Sequence, residues 1–137
     1  MGSSQLKKLD KFIGRRREIA RFYDKIFSPL EFFKIPKSNS SVEHAYHLYP
    51  LRIDFAKKAL DKSDFFKKMK EFGINLQVHY IPVHLQPFFR RNYGFKPGDF
   101  PISENFYHQE LSLPVYPDLS KNQMAMVVNR ILEYLSS

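Results

Sequence analysis

Residues 63–81 read SDFFKKMKEFGINLQVHYI, and within them the spacing of apolar residues changes from that of a helix to that of a strand. The apolar residues of the first half share one helix face: Phe65, Phe66, Met69 and Phe72. Ser63 is suited to cap this helix, Asp64 suits its dipole, and Gly73 is suited to end it in the left-handed conformation. Ile74–Ile81 then predicts a strand. A helix followed at once by a strand indicates a domain of mixed α and β structure.

Upstream of this stretch, the sequence predicts a long helix, a loop and a strand. From Gln5 to Phe27 the apolar residues form one helical stripe: Leu6, Leu9, Phe12, Ile13, Ile19, Tyr23, Ile26 and Phe27. Residues 34–43 are rich in Ser and Asn and are typical of a surface loop. Residues 44–53 are largely apolar on both faces, which predicts a strand covered on both sides, with Pro50 at an edge or a bulge.

Downstream, two short helices precede a further strand and a final helix. Pro87–Arg91 and Ser103–Glu110 predict the short helices, since proline is favoured in a first helical turn. Leu111–Pro114 is strand-like. Ser120 and Gln123 form a capping box at the start of the last helix. The order predicts an α/β (α+β) fold, a small sheet of about three strands backed by helices and preceded by a long helix.

The composition excludes several classes of function. The chain has 137 residues, the size of one domain, with 22 Lys and Arg against 14 Asp and Glu, a formal charge of +8. Without cysteine it has no disulfide, no thiolate catalysis and no cysteine-bound zinc, which fits a cytoplasmic protein. No apolar run approaches the roughly 20 residues that span a bilayer, and we expect no signal peptide. Neither a glycine-rich phosphate loop nor a G-x-S-x-G motif occurs.

Two histidines, His79 and His84, stand out in residues 78–89, VHYIPVHLQPFF. Their spacing does not match a zinc-binding helix, so no metal site is expected. On the strand prediction, His79 lies within the strand. His84 follows Pro82 on the loop that leaves its carboxyl end, where ligand sites are common. From the residues alone, a structural role and a ligand-binding role for His84 both remain open.

The basic residues keep a second class of function open. Arg90 and Arg91 lie beside three aromatic residues that would suit single-stranded nucleic acid: Phe88, Phe89 and Tyr93. No recognised nucleic-acid motif supports this reading, but a stand-alone module for nucleic acid or another polyanion is the alternative to an enzyme domain. Glu104 and Glu110 have no partner pattern, and we expect them on a solvated helix face.

Four stretches together resemble a known family. They are SQLKKLDKFIGRRREIARFYDKIF (4–27), HAYHLYPLRI (44–53), GINLQVHYIPVHLQPFFRRNYGF (73–95) and FPISENFYHQELSLPVYPDLS (100–120). In order and spacing they are similar to the C-terminal domain of the DegT/DnrJ/EryC1/StrS family, pyridoxal-phosphate aminotransferases that act on nucleotide-linked keto sugars. The resemblance is strongest to the branch that aminates C4 of UDP-linked 4-keto-6-deoxy-N-acetylhexosamines, which includes pseudaminic acid pathway enzymes and spore coat polysaccharide proteins.

The resemblance implies the small domain of a fold-type I aminotransferase, with residues 1–28 as a long connecting helix and 29–137 as the domain itself. In the family, the lysine of the Schiff base and the acid that pairs the cofactor's pyridine nitrogen come from a large domain that this chain lacks. Lys67, in SDFFKKM, does not match the family's lysine motif. We therefore expect no catalytic residue here, no pyridoxal phosphate bound by this chain alone, and no transamination by it.

The resemblance also implies site residues and partners. It places His84, with Tyr80 and His79, near the cofactor and the sugar nucleotide, in a hydrogen-bonding role. Arg90 and Arg91 are candidate diphosphate contacts, because a guanidinium suits that charge. In the full-length parent the expected partners are a UDP-linked sugar, glutamate, pyridoxal phosphate and a second subunit. Neither a membrane nor nucleic acid is expected as a partner of an aminotransferase domain.

Overall fold

The computed structural model describes residue 4 and residues 6–39 and 41–136. The helices are α1 (Leu9–Phe27), α2 (Lys62–Glu71), α3 (Pro87–Tyr93), α4 (Pro101–Gln109) and α5 (Lys121–Ser136). A 3-10 turn, Val83–Leu85, precedes α3, and the strands are β1 (Phe33–Lys34), β2 (Tyr49–Ile53) and β3 (Glu110–Leu113). Within the described residues, no helix is long and apolar enough to cross a membrane.

The three strands form one antiparallel sheet in the order β1-β2-β3. Phe33 lies opposite Ile53, and Tyr49 lies opposite Leu113. Alternate side chains of β2 are buried in the core, while α4 contacts the strand and brings Phe106 to 5.7 Å from the guanidinium carbon of Arg52. The predicted α/β (α+β) fold, a small sheet of about three strands backed by helices, is confirmed.

The strand predicted at Ile74–Ile81 is wrong. In this segment a single bridge, between Gln77 and Ser112, pairs the chain with β3. Beyond it, the backbone N–H of His79 donates to the side chain of Glu110 at 3.0 Å, in place of a strand carbonyl. A side-chain carboxylate therefore takes over a donor that a fourth strand would have used.

The first strand, in contrast, begins just before the segment predicted as a loop. Phe33–Lys34 pairs with the end of β2, and the buried Phe33 ring lies 4.6 Å from that of Phe27. The pattern of residues 34–43 gives no sign of this pairing, because a two-residue strand has no periodicity. The strand expected over 44–53 also begins later, at Tyr49.

The core lies between the sheet and the helices α1, α2 and α5, whose buried apolar residues are Ile19, Ala20, Tyr23, Phe27, Phe65, Met69, Met124, Val127, Val128, Ile131 and Leu135. The hydroxyl of Tyr23 donates to the carbonyl of Pro114 at 3.0 Å, and that of Tyr49 donates to Asp24 at 2.6 Å. Burial raises the pKa of both phenols, so both stay protonated donors. The N-terminal half of the α1 stripe lies outside this core.

Helix ends agree with the sequence at two places and differ at two others. Gly73 has φ +76° after α2, and Ser120 and Gln123 exchange the two hydrogen bonds of a capping box before α5. The cap of α2 is Asp61 and not Ser63, since Asp61 accepts from the backbone of Ser63 and Asp64. Helix α1 begins at Leu9, and the expected start at Gln5 lies outside the described residues.

Candidate functional site

His84 is held by a carboxylate in the interior. It lies in the 3-10 turn with 6% of its surface exposed, and its Nε2 is 2.8 Å from Oε1 of Glu104. Glu104 also accepts from the backbone N–H groups of Gly98 and Phe100. The Gly98 N–H and then His84 hold the pKa of Glu104 below its usual range. Our expectation that Glu104 lies on a solvated face is therefore wrong.

His84 lines an apolar cleft of about 330 Å³, which we call the aromatic cleft. Its lining residues are Val83, His84, Phe89, Phe95, Phe100 and Ser103. The rings of His84 and Phe100 lie 4.7 Å apart, and those of Phe95 and Phe100 lie 5.6 Å apart. The histidine ring therefore packs against an aromatic surface, and its Nε2 is already engaged by Glu104.

His79 and Tyr80 line a different cleft, of about 560 Å³, which we call the histidine cleft. Arg16, His47, Gln77 and Ser112 line it as well. Tyr80 is 74% exposed, so its phenol is accessible to a ligand. The structure thus places His79 and Tyr80 in a different cleft from His84, whereas the family resemblance implied that all three lie at one site.

A hydrogen-bonded chain supports the wall of the histidine cleft. The hydroxyl of Ser112 donates to Oε1 of Glu110 at 2.8 Å, and Nδ1 of His79 lies 2.8 Å from the same hydroxyl oxygen. Glu110 is completely buried, so the prediction that it faces solvent is wrong. Glu110 and Ser112 alternate along β3, and this period-two spacing was the one signal that the sequence offered for the pair.

Arginine side chains of α1 tie down the backbone around the same cleft. Arg16 donates to the carbonyls of Tyr46, His47 and Val115 at 3.3, 3.2 and 2.8 Å. Arg15 donates to the carbonyl of Leu119 and to the carboxylate of Glu18, and Arg17 donates to the carbonyl of His44 and to the carboxylate of Glu43. The sequence predicted a solvated or polyanion-binding basic face, and did not reveal that these residues support loops.

The remaining sequence candidates lie outside both clefts. Arg90 and Arg91 are exposed in the last turn of α3 and line neither cleft. Lys67 is exposed on α2, where its ammonium lies 2.8 Å from Asp64. In the described part of the chain, no group of three or more His, Asp or Glu residues is placed to hold a metal ion.

The described residues do not fit pyridoxal phosphate, which needs a lysine amine and an acid for its pyridine nitrogen in one pocket. A cleft of about 870 Å³ contains Lys34 and Lys37 but no carboxylate. Another contains Asp61 and Lys62, but Asp61 caps α2 and the Lys62 ammonium donates to the carbonyl of Tyr107. The first of these clefts therefore lacks the acid, and in the second the acid and the lysine are both already hydrogen-bonded within the chain.

Comparison with known proteins gives consistent matches along the whole chain. The model of the DegT/DnrJ/EryC1/StrS aminotransferase family matches residues 1–132. The spore coat polysaccharide biosynthesis protein SpsC of Bacillus subtilis is 36% identical over 132 residues, which are 96% of this chain and 34% of SpsC. The UDP-4-amino-4,6-dideoxy-N-acetyl-beta-L-altrosamine transaminase of Campylobacter jejuni is 32% identical over 135 residues, 98% of this chain and 35% of that enzyme.

A solved structure shows the same arrangement of elements. Helicobacter pylori PseC, an aminotransferase involved in the biosynthesis of pseudoaminic acid, superimposes with a TM-score of 0.85 at 27% identity. The match covers 98% of this chain and 36% of PseC. The chain therefore spans about a third of the length of each of these relatives.

Proposed function

Because the chain belongs to the DegT/DnrJ/EryC1/StrS aminotransferase family, we propose that it is the C-terminal small domain of a nucleotide-sugar aminotransferase. The observation that carries this proposal is a family match over residues 1–132 in a chain that spans only about a third of its relatives. Residues 1–28 would connect to a preceding large domain, and 29–137 would form the small domain.

The whole protein would transfer the amino group of glutamate to the ketone of a UDP-linked 4-keto-6-deoxy sugar, for a surface polysaccharide or glycan. The names of the Bacillus and Campylobacter relatives support this substrate class. Pyridoxal phosphate would be held by residues outside this chain, since the described clefts do not fit it. The protein would act as a cytoplasmic homodimer, and this chain alone would be inactive.

An uncovered apolar surface supports the presence of a larger protein around this chain. Leu6 and Leu9 belong to the same helical stripe as the core residues of α1, yet they are 69% and 46% exposed. Exposed aromatic and aliphatic side chains also continue along one segment, residues 80–106: Tyr80, Ile81, Val83, Phe88, Tyr93, Phe100, Ile102 and Phe106. Exposed apolar side chains in such numbers are typical of surfaces where other protein surfaces or ligands bind.

Within that protein, this chain's residues would bind and orient the sugar nucleotide. His79 and the exposed phenol of Tyr80 would offer hydrogen bonds from the histidine cleft. Arg90 and Arg91 would contact the diphosphate, since both guanidinium groups are exposed. His84 would shape the wall of the aromatic cleft, and a direct substrate contact through its Nε2 would require the bond to Glu104 to open.

The proposal is tested on the longest polypeptide that the gene encodes. Incubated with glutamate and a UDP-linked 4-keto-6-deoxy-N-acetylhexosamine, it should form the 4-amino sugar, detected by mass spectrometry. We expect the His79→Gln variant to lower kcat/KM at least about tenfold, the loss of roughly one good hydrogen bond. The matched control is His108→Gln, an exposed histidine outside the histidine cleft, which should leave kcat/KM unchanged.

The isolated chain provides the complementary test. After addition of pyridoxal phosphate and borohydride, we expect no stable adduct on any one lysine. A single trapped lysine, or a genuine stop codon and ribosome-binding site directly upstream of Met1, would contradict the proposal.

A further inference from the structure

The direction of two hydrogen bonds beside the histidine cleft is determined by a buried acid. Oε2 of Glu110 accepts from the backbone N–H of His79, and Oε1 accepts from the hydroxyl of Ser112. An ionised carboxylate has acceptors only. The hydroxyl of Ser112 must therefore point its single proton toward Glu110, and its oxygen is left as an acceptor for a further donor.

The ammonium group of Lys62 interacts electrostatically with the carboxylate of Glu110. Burial lowers the pKa of Lys62, and the carboxylate of Glu110 offsets part of that effect by attraction. Lys62 lies at the first position of α2, and its ammonium also donates to Tyr107. The buried carboxylate thus has two hydrogen-bond donors and a compensating cation, as a buried charge requires.

Among the described residues, the group placed to donate to the hydroxyl oxygen of Ser112 is His79, whose Nδ1 lies 2.8 Å away. We propose that Glu110 and Ser112 are positioning residues that hold neutral His79 with its proton on Nδ1. Its Nε2 is then a hydrogen-bond acceptor at the histidine cleft. Among the described residues, none bonds to Nε2.

An acceptor at this point selects a ligand group that donates. The other polar side chains that line this cleft are Arg16 from α1, His47 before β2, Asn75, Gln77, Tyr80, Ser112 and Tyr116. Arg16 already donates to three backbone carbonyls. Nε2 therefore accepts from a hydroxyl or amine of the ligand. That this ligand is a nucleotide-linked sugar rests on the proposed function, whereas the tautomer rests on the hydrogen bonds alone.

The tautomer is measured directly by proton–nitrogen correlation spectra of the chain labelled at histidine. The pH is set to about 8, above the usual histidine pKa of about 6.5, so that the rings are neutral. The His79 signals, assigned with the His79→Gln variant, should show a protonated Nδ1 and an unprotonated Nε2. A proton on Nε2 in the unmodified chain overturns the proposal, whatever the variants do.

The Glu110→Gln variant tests most directly whether Glu110 sets the His79 tautomer. The backbone N–H of His79 still needs an acceptor, so the amide oxygen of the glutamine takes that place and its NH₂ group faces Ser112. Ser112 must then accept from the glutamine and donate to His79, which moves the ring proton to Nε2. The spectrum of this variant should therefore show the opposite tautomer, and an unchanged tautomer in a folded variant contradicts the proposal.

Two serine variants test independently whether Ser112 holds the His79 ring proton on Nδ1. Ser112→Ala removes the acceptor for Nδ1–H, and we expect the ring proton to move toward Nε2. Ser103→Ala, in the aromatic cleft, is the matched control and should leave the His79 signals unchanged. If His79 keeps its proton on Nδ1 in the Ser112→Ala variant, Ser112 does not position that proton and the proposal is contradicted.

Titration with UDP-N-acetylglucosamine tests the ligand class. The Nε2 resonance of His79 should shift on binding. The Glu110→Gln variant, in which the His79 ring proton is on Nε2, should bind the sugar nucleotide about tenfold more weakly, the effect of one lost hydrogen bond. If the His79 tautomer is as expected but the sugar nucleotide does not shift the Nε2 resonance, the positioning role of Glu110 and Ser112 stands. The assignment of this cleft to sugar binding is then wrong. If the sugar nucleotide binds to the unmodified chain while the His79 proton is on Nε2, the proposed positioning role of Glu110 and Ser112 is wrong. The assignment of the cleft to sugar binding then stands.

Discussion

Glu104 connects three parts of the chain through one carboxylate. It faces His84 of the 3-10 turn, and it accepts from the backbone of Gly98 and Phe100 in the loop before α4. These contacts favour the ionised carboxylate and hold its pKa below the usual range. The loop that forms one wall of the aromatic cleft therefore depends on the charge of a single side chain.

We predict that this charge makes stability depend on pH. A carboxyl group with a lowered folded-state pKa stabilises the fold above its unfolded pKa, about 4.3, and the contribution is lost as the pH falls through the folded-state pKa. Glu104→Gln should therefore be less stable than the unmodified chain at neutral pH, and the difference should shrink in acid. Urea unfolding at about pH 7 and about pH 3.5 measures both differences.

Glu133→Gln is the matched control, since Glu133 forms an exposed ion pair with Arg130. This variant should differ little from the unmodified chain at either pH, because exposed ion pairs contribute little. An equal loss of stability for Glu104→Gln at both pH values would show that the carboxylate charge is not what holds the loop.

At the scale of elements, α2 and the segment after it show where local pattern succeeds and where it fails. The apolar stripe of α2, its end at Gly73 and its amphipathic packing follow from spacing alone. Its first residue does not, because Asp61 and Ser63 both have side chains suited to a cap. Asp61 has the extended backbone of a cap residue, with ψ 130°, and so the helix begins at Lys62.

We expect Asp61→Ala to destabilise the chain by about 1 kcal/mol, the usual contribution of an N-cap side chain. Two backbone N–H groups lose their acceptor in this variant. Ser63→Ala tests the cap expected from the sequence and should change the free energy of unfolding by less than about 0.5 kcal/mol. Chemical denaturation of both variants decides between the two caps, and a larger loss for Ser63→Ala would contradict the structure.

At the scale of the whole molecule, part of the positive charge behind the formal net charge of +8 is engaged within the chain at α1. The three consecutive arginines of that helix, Arg15, Arg16 and Arg17, all donate to backbone carbonyls or carboxylates of the same chain. Their role in holding the loops around the histidine cleft competes with binding to phosphate. This arrangement argues against the stand-alone polyanion module that the composition left open.

We therefore predict weak binding to nucleic acid. Fluorescence anisotropy with a labelled single-stranded DNA should show no micromolar affinity at about 50 mM salt, where phosphate contacts are strongest. The Arg21→Gln variant removes one exposed charge of α1. It measures the effect of net charge on DNA affinity without breaking a contact between an arginine and a loop. Micromolar affinity that falls steeply toward about 200 mM salt would restore the polyanion-binding alternative.

The sequence by itself determined the family, the mixed fold, and most of the helices. The resemblance in residues 4–27, 44–53, 73–95 and 100–120 is confirmed by the family match. Helices α2, α3, α4 and α5 lie within a few residues of their predicted places, and so does β3. These features depend on side chains a few positions apart, so periodicity, proline, glycine and caps are enough to find them.

Only the tertiary structure decided how the candidate residues are grouped. His79 meets Glu110 and Ser112 across sequence separations of 31 and 33 residues, and His84 meets Glu104 across 20. These bonds place the two histidines in separate clefts and turn two expected surface carboxylates into buried or partly enclosed acceptors. They also replace the strand predicted at Ile74–Ile81 by a single bridge. Local spacing cannot foresee such contacts, because a donor is satisfied by whichever acceptor the folded chain brings within reach.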